Sequence, residues 1–253
     1  GDGISDITEA SESIIATMQA FAIEPEDVMS IVDKFNDVGN KFAISSGGVG
    51  EALLRSAAAM KAANNTLDET IALATAANKV VQNPQIVGTS LKTISMYLRA
   101  AKTEAEEAGE ETDGMAESVS KLREEILKLT GNQVDIQIDE NTFKSTYQIL
   151  KDLSEVWNDL SDVSQANIQA LIGGKRNANV VAALLTNFSE AEKALQVSID
   201  SINSASKENE KVLASIQGRI NKFKASFEVL SSTLIDGDLV KAIIDAGTGL
   251  LNM

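Results

Sequence analysis

Gly173-Gly174-Lys175-Arg176 is the stretch nearest to a phosphate cradle, in which backbone amides and a lysine hold a phosphate. That motif needs a glycine five places before its Gly-Lys pair and a hydroxyl residue directly after the lysine. Gln169 and Arg176 stand there instead, so the stretch reads as a helix end followed by the basic start of another helix. Basic residues at a helix start oppose the dipole, so Lys175 and Arg176 are expected to find carboxylate partners. Asp135, Asp139 and Asn141 have part of the spacing of a calcium loop. Glu140 stands where that loop needs glycine for its sharp turn, and Thr146 where it needs a bidentate glutamate. They read as polar residues on the outer face of a strand and at a helix N-cap. Glu106 with Glu110, and Asp159 with Asp162, are carboxylate pairs of the kind that do acid–base work. With 37 acidic residues in the chain such spacings arise by chance, and no catalytic role is assigned to them.

The rest of the inventory narrows the chemistry further. The chain has no histidine and no cysteine, which removes the usual general base near neutral pH, the thiolate nucleophile and the two commonest zinc ligands. No enzyme activity, metal or cofactor is expected. A net charge of −15 argues against direct nucleic-acid binding, which needs clustered Lys and Arg. No apolar run approaches the ~18–20 residues that span a bilayer; Val180 to Leu185 is a typical maximum. The start at Gly1-Asp2-Gly3 and the end at Leu251-Asn252-Met253 read as the edges of a fragment of something longer.

What must position these residues is a set of helices. Apolar residues make up 43% of 253, aromatics only 4%, and there are two prolines, so the interior is expected to be aliphatic and alanine-rich. Ile4, Ile7, Ser11, Ile14, Met18 and Phe21 recur at helical steps. Pro25 with Glu26 and Asp27 opens a second helix whose stripe is Val28, Ile31, Val32, Phe35 and Val38, with Gly39 as its stop. Asn40 to Gly50 reads as a loop, followed by an alanine-rich helix from about Glu51 to Ala63 that Asn64-Asn65 ends. Thr66 and Glu69 have capping-box spacing, and that helix runs to about Gln82 before Asn83-Pro84 breaks it. Val87, Leu91, Ile94, Leu98 and Ala101 mark the next helix. Glu104 to Glu117 holds seven acids and no base, which predicts a solvated, mobile surface segment. Met115, Val119, Leu122, Ile126 and Leu129 then step helically to Gly131. Val134, Ile136 and Ile138 alternate with polar residues, predicting one short strand or hairpin arm. Helical periodicity resumes from Thr142 with Tyr147, Leu150, Leu153, Trp157 and Leu160. Two short helices follow, on either side of Gly173-Gly174.

The longest signal lies near the C-terminal end, where Ser189 and Glu192 offer a second capping box. After it, Leu195, Ile199, Ile202, Ser206, Asn209, Leu213, Ile216, Ile220, Phe223, Phe227, Leu230 and Leu234 alternate steps of four and three, a heptad seam. A continuous helix from about 190 to 235 would be about 69 Å long at ~1.5 Å per residue. The alternative is a break near Asn203 to Glu208; continuity is favoured because no Gly or Pro occurs there. Asp236-Gly237-Asp238 closes the helix, and a short one begins at Leu239. The apolar seam positions serve either an intramolecular core or association with a second helix. The sum is an all-α bundle of about nine or ten helices, with that long heptad helix and at most one short strand or hairpin. Its divisions are a helical bundle over 1–108, an acidic connection and helix over 109–131, and a helical region over 132–253. The glycine and proline breaks predict that the chain folds back on itself rather than forming one rod.

Six stretches taken in order resemble the core region of phage tail tape measure proteins: Asn40–Ser46, Ala76–Pro84, Val87–Ser95, Asn141–Tyr147, Gly174–Arg176 and Ser226–Leu230. The doubled glycine before Lys175 is a minor departure from the family pattern, which has a single small residue before Gly-Lys-Arg. The resemblance implies a structural protein of the virion tail, assembled in the bacterial cytoplasm, whose length sets that of the tail. Implied partners are tail-tube and tail-tip proteins, tail assembly chaperones and other copies of itself. The family has no shared catalytic residues, so none are carried over. Two readings of other classes stand beside this one. The first is a coiled-coil segment of a bacterial sensor or adhesin that dimerises through Leu195 to Leu234; the second is a carboxylate-dependent enzyme. Neighbouring tail-tube genes would favour the tail protein, and a kinase or receptor gene the sensor.

Overall fold

The computed structural model of the protein describes residues 7–201. Ten α-helices and one two-stranded hairpin are found among the described residues: α1 (Ile7–Phe21), α2 (Val28–Lys41), α3 (Ser46–Ala62), α4 (Leu67–Val81), α5 (Pro84–Tyr97), α6 (Lys102–Glu107), α7 (Val119–Leu129), β1 (Gln137–Asp139), β2 (Thr142–Phe143), α8 (Thr146–Val156), α9 (Asp162–Thr186) and α10 (Phe188–Ile199). The protein is an all-α bundle. Short 3-10 turns, Pro25–Asp27 and Trp157–Asp159, lead into α2 and out of α8. The hairpin is antiparallel, with Gln137 opposite Phe143 and Asp139 opposite Thr142. Val134 and Ile136 enter the core just before β1, while Ile138 faces out.

The bundle is organised around α4. Ile71, Ala72, Leu73, Ala74, Ala76 and Ala77 are all fully buried, so this helix is covered on every side instead of along one stripe. Its alanines let neighbours approach closely, and its buried hydroxyls are satisfied locally: Thr75 Oγ1 donates to the Ile71 carbonyl at 2.8 Å. Helix α10 lies along one side of α4, while α3 packs most extensively against α5 and α1, and α5 also against α9. The capping box at the start of α4 is complete: Thr66 Oγ1 accepts from the Glu69 amide, and Glu69 Oε2 accepts from the Thr66 amide. Gln82 ends α4 in the left-handed region, and Asn83 caps α5 with Pro84 in its first turn.

Close helix packing explains where the glycines of the N-terminal half went. Gly39 does not stop α2, which runs on to Lys41, and α3 begins at Ser46, so Gly47, Gly48 and Gly50 are helical and not a loop. A Cβ on Gly48 would press on Pro84 at 3.0 Å, and one on Gly50 would collide with Ser13 Oγ at 2.6 Å. A Cβ on Gly88 of α5 would run into the backbone of Ala52. Here glycine serves contact between helices, and the α3–α5 crossing is nearly backbone to backbone.

One junction ties distant segments together. Asn65 is buried at the end of α3, donates to the carbonyls of Met60 and Ala63, and accepts the Tyr147 amide at the start of α8. Arg99, just past α5, donates from Nη2 to the carbonyls of Ala63 and Lys144, at 2.7 Å each, with its guanidinium 4.3 Å from the Phe143 ring centroid. Burial lowers its pKa to about 10, still charged at neutral pH. Helix α8 begins here at Thr146, capped by Ser145, and not at Thr142, which lies in β2.

The C-terminal end departs from expectation. Helix α10 starts at Phe188 after the single turn residue Asn187, so Ser189 and Glu192 lie inside the helix and form no capping box. Ile199 is the last helical residue among the described residues, the Asp200 amide bonding to the Gln196 carbonyl, and the rest of the helix expected from about 190 to 235 lies outside them. Tertiary contacts hold this end of α10. Lys34 of α2 donates to the Ser198 carbonyl (3.0 Å) and to Asp68 Oδ1 of α4 (2.6 Å), and the Ser198 hydroxyl donates to the same Asp68 oxygen. Ser201 Oγ also donates to the Ser198 carbonyl, which in a continuing helix would accept the amide four residues on.

Candidate functional site

Residues 102 to 117, expected as a solvated tether, instead form a strap docked across α5 and the middle of α9. Ala105 of α6 is fully buried and Met115 nearly so. With Tyr97, and with Met96 packed alongside, they make a small apolar cluster separate from the main core. Two of its acids, Glu110 and Glu111, have partners on the body of the protein, while Glu104, Glu106 and Glu107 are exposed. Glu110 takes Lys92 Nζ at 3.0 Å and the Thr93 hydroxyl at 2.9 Å. Glu111 takes Arg176 Nε at 2.9 Å. Glu117 pairs with Lys121 four residues on, at the start of α7. Arg176 thus has the carboxylate its place after a glycine turn called for, while Lys175 is exposed.

Tyr97 is the centre of this arrangement. Its hydroxyl points out of α5, donates to the Glu111 carbonyl at 2.8 Å, and lies 3.3 Å from the Asp113 carbonyl. Burial first, then the nearby carboxylates of Glu111, Asp113 and Glu110, hold the phenol above its ordinary pKa of 10, so it stays a donor. The same oxygen occupies the place where a side chain on Gly174 would begin, 2.6 Å from an ideal Cβ. Gly174 has φ +64° and ψ −175°, and bends α9 between two helical halves. The two short helices expected around Gly173-Gly174 are these halves. Both are anchored in the core, by Ile168, Leu171 and Ile172 before the bend and by Val180, Val181 and Leu184 after it.

The geometry answers the chemical candidates. The space between Thr93, Tyr97, Glu110, Gly174 and Asn177 is about 20 Å³, far below the ~300 Å³ of a small-molecule site. Asp135 is held by both Arg123 nitrogens, at 2.8 and 2.6 Å, and Asp139 accepts the Asn141 amide. The partial calcium spacing is thus spent on an ion pair and a turn. Glu106 is exposed while Glu110 faces Lys92, so that pair does not converge. Asp159 and Asp162 are both exposed. Among the described residues no group of three or more Asp or Glu is placed to hold a metal ion, and no helix is long and apolar enough to cross a membrane.

Of the seam, Leu195 is half-buried against the core and Ile199 is 48% exposed; α10 buries Phe188, Ala191, Ala194 and Ser198 instead. Ile202, Leu213, Ile216, Ile220, Phe223, Phe227, Leu230 and Leu234 lie outside the described residues, as do Ser206, Asn209 and the turn at Asp236–Asp238. The Tyr97 clasp went unforeseen because Tyr97 reads as one more residue beside the Leu91, Ile94 and Leu98 stripe. Its phenol, next to a long acidic run, was the one available hint.

A family profile described as phage-related minor tail protein matches residues 2–174, more than half of the chain and up to the bend in α9. No solved structure matches the chain.

Proposed function

This chain belongs to the phage-related minor tail protein family and is a structural component of the virion tail; from that premise we propose that it is a segment of a tape measure protein. In this reading it acts during tail assembly in the bacterial cytoplasm and contributes to setting tail length. Tail-tube and tail-tip proteins, assembly chaperones and further copies of the chain are its partners, and the seam beyond residue 201 is where copies or partners associate.

The observation that carries the reading is where the tape-measure-like stretches sit in the fold. Asn40–Ser46 joins α2 to α3, Ala76–Pro84 turns α4 into α5, Asn141–Tyr147 leads from the hairpin into α8, and Gly174–Arg176 bends α9. Four of the six stretches of resemblance are thus joints that set the path of the chain, and Ser226–Leu230 lies outside the described residues. Val87–Ser95 contains Gly88, on which the α3–α5 crossing depends. Helices joined this way supply a fixed rise per residue wherever they are laid end to end, which a ruler requires.

The test is made in the parent phage. Deleting residues 203–230, four heptads of the seam, is expected to shorten the tail by about 42 Å at ~1.5 Å per residue, measured by electron microscopy over many particles. Tails of unchanged length would overturn the tape measure reading and leave family membership standing.

A further inference from the structure

We infer that the strap over residues 102–117 is a latch: it opens as a unit without the bundle unfolding, and when closed it fixes the bend of α9 at Gly174. The inference is independent of the tail-length role.

Three observations converge on it. First, the strap's apolar anchors form their own cluster, with Ala105, Met115 and Tyr97 standing apart from the core that joins α1 to α10. An element whose buried contacts are few and separable opens at lower free energy than the core. Second, its remaining attachments are Ala116, half-buried against the edge of the main core, and a few polar bonds. The Arg176 side chain is 79% exposed, whereas Lys92 and Glu110 are mostly covered. An ion pair as open as Glu111–Arg176 holds weakly. Third, the Glu110 and Glu111 attachments meet α5 or α9 around the bend. Glu111 touches Tyr97 of α5 through its carbonyl and Arg176 of α9 through its carboxylate, so one residue of the strap ties α5 to the half of α9 beyond the hinge.

The left-handed geometry at Gly174 is available to glycine at little cost, and so is the helical geometry. Closed, the strap holds the Tyr97 hydroxyl against Gly174 and ties Arg176, two residues beyond it, to Glu111. Open, both restraints are gone, and the angle between the halves of α9 is limited by their own core contacts and by the Asn177 side chain on the Gly173 carbonyl. The latch therefore separates two tasks: the core stabilises each half of α9, and the strap selects the angle between them.

The chain contains no cysteine, so a single introduced thiol reports its own exposure. Ala105→Cys places it under the strap, and Ala72→Cys places it in α4, both at positions with no exposed surface. With a water-soluble thiol reagent under native conditions, Cys at 105 is expected to react at least ~100-fold faster than Cys at 72. Adding Arg176→Gln or Tyr97→Phe to the Ala105→Cys chain is expected to raise its rate by roughly 3–10-fold and to leave Cys at 72 unchanged. Equal rates at 105 and 72 would overturn the inference. So would a fast rate at 105 that neither substitution alters. Hydrogen exchange on the unsubstituted chain gives the same reading without a thiol: amides of 103–117 are expected to exchange together and well ahead of α4, and exchange in step with α4 would overturn the latch.

Discussion

Replacing Gly88 with alanine is expected to destabilise the bundle by about 2 kcal/mol, although the same change in an exposed helix stabilises. Alanine is favoured over glycine in a helix interior by about 1 kcal/mol, so propensity alone predicts a gain. Against that stands the α3–α5 crossing. An ideal Cβ on Gly88 meets the Ala52 carbonyl oxygen far inside van der Waals contact, and both the carbonyl carbon and Cα of Ala52 at 3.0 Å. These are backbone atoms of a helix, with no rotamer by which to move aside. The two helices must separate instead, loosening Val49, Leu53, Val87 and Leu91, all fully buried. Overpacking of this kind costs about 1–3 kcal/mol even where side chains can yield, and the upper end applies where backbone must move. The net is a loss of about 2 kcal/mol, read from urea unfolding followed by circular dichroism, with the slope against denaturant unchanged. Gly109→Ala is the matching control. Gly109 has φ +72° and nothing within 4 Å of its Cβ position, so that variant pays only the backbone cost of about 1–2 kcal/mol. A Gly88→Ala chain as stable as wild type, or more so, would refute the close-approach account.

Two further outcomes are expected. Arg99→Lys should lose about 1 kcal/mol in the same unfolding assay, because an ammonium can still donate to the Ala63 and Lys144 carbonyls, both held by the single Nη2, but loses the planar guanidinium that lies on Phe143; equal stability of the two chains would show that the guanidinium plane is dispensable. The second concerns pH. Glu190, in the first turn of α10, is held below its ordinary 4.5 by hydrogen bonds from Lys193 and then Lys79 of α4. A carboxyl depressed in the folded state stabilises fully above its unfolded pKa and loses that contribution as pH falls through the folded value. Glu190→Gln should therefore be less stable than wild type at pH 7, with the difference closing from about pH 4.5 downward; a gap that persists to pH 2 would assign the effect to packing instead.

What could be read from the sequence divides along the range of the interaction responsible. The capping box at Thr66 and Glu69 and the break at Asn83-Pro84 were legible because their determinants lie within four residues. The helical stripes of α2, α5 and α8 were legible because each buries one face; α4 has no exposed face, so periodicity could give its length but not its central place. The glycines at 48 and 50 misled because their partners, Pro84 and Ser13, are distant in sequence. The strap misled for the same reason. Seven acids and no base across 104–117 describe a solvated segment unless Lys92, Tyr97 and Arg176 are known to face it. At the end of α10 the heptad steps pass through Asp200 and Ser201 undisturbed, and only Lys34 and Asp68, far away in the chain, reveal what holds that end.

That anchorage has a mechanical consequence. Helix α10 runs antiparallel to α4: Glu190 meets Lys79 near the last turn of α4, and Ser198 meets Asp68 in its first. A pull transmitted from the downstream polypeptide therefore loads the Lys34–Asp68–Ser198 clasp before it reaches Ala194, Ala191 or Phe188. Traction applied across the axis of α10 would strip it from its last turn backward, meeting these three polar side chains before the apolar face.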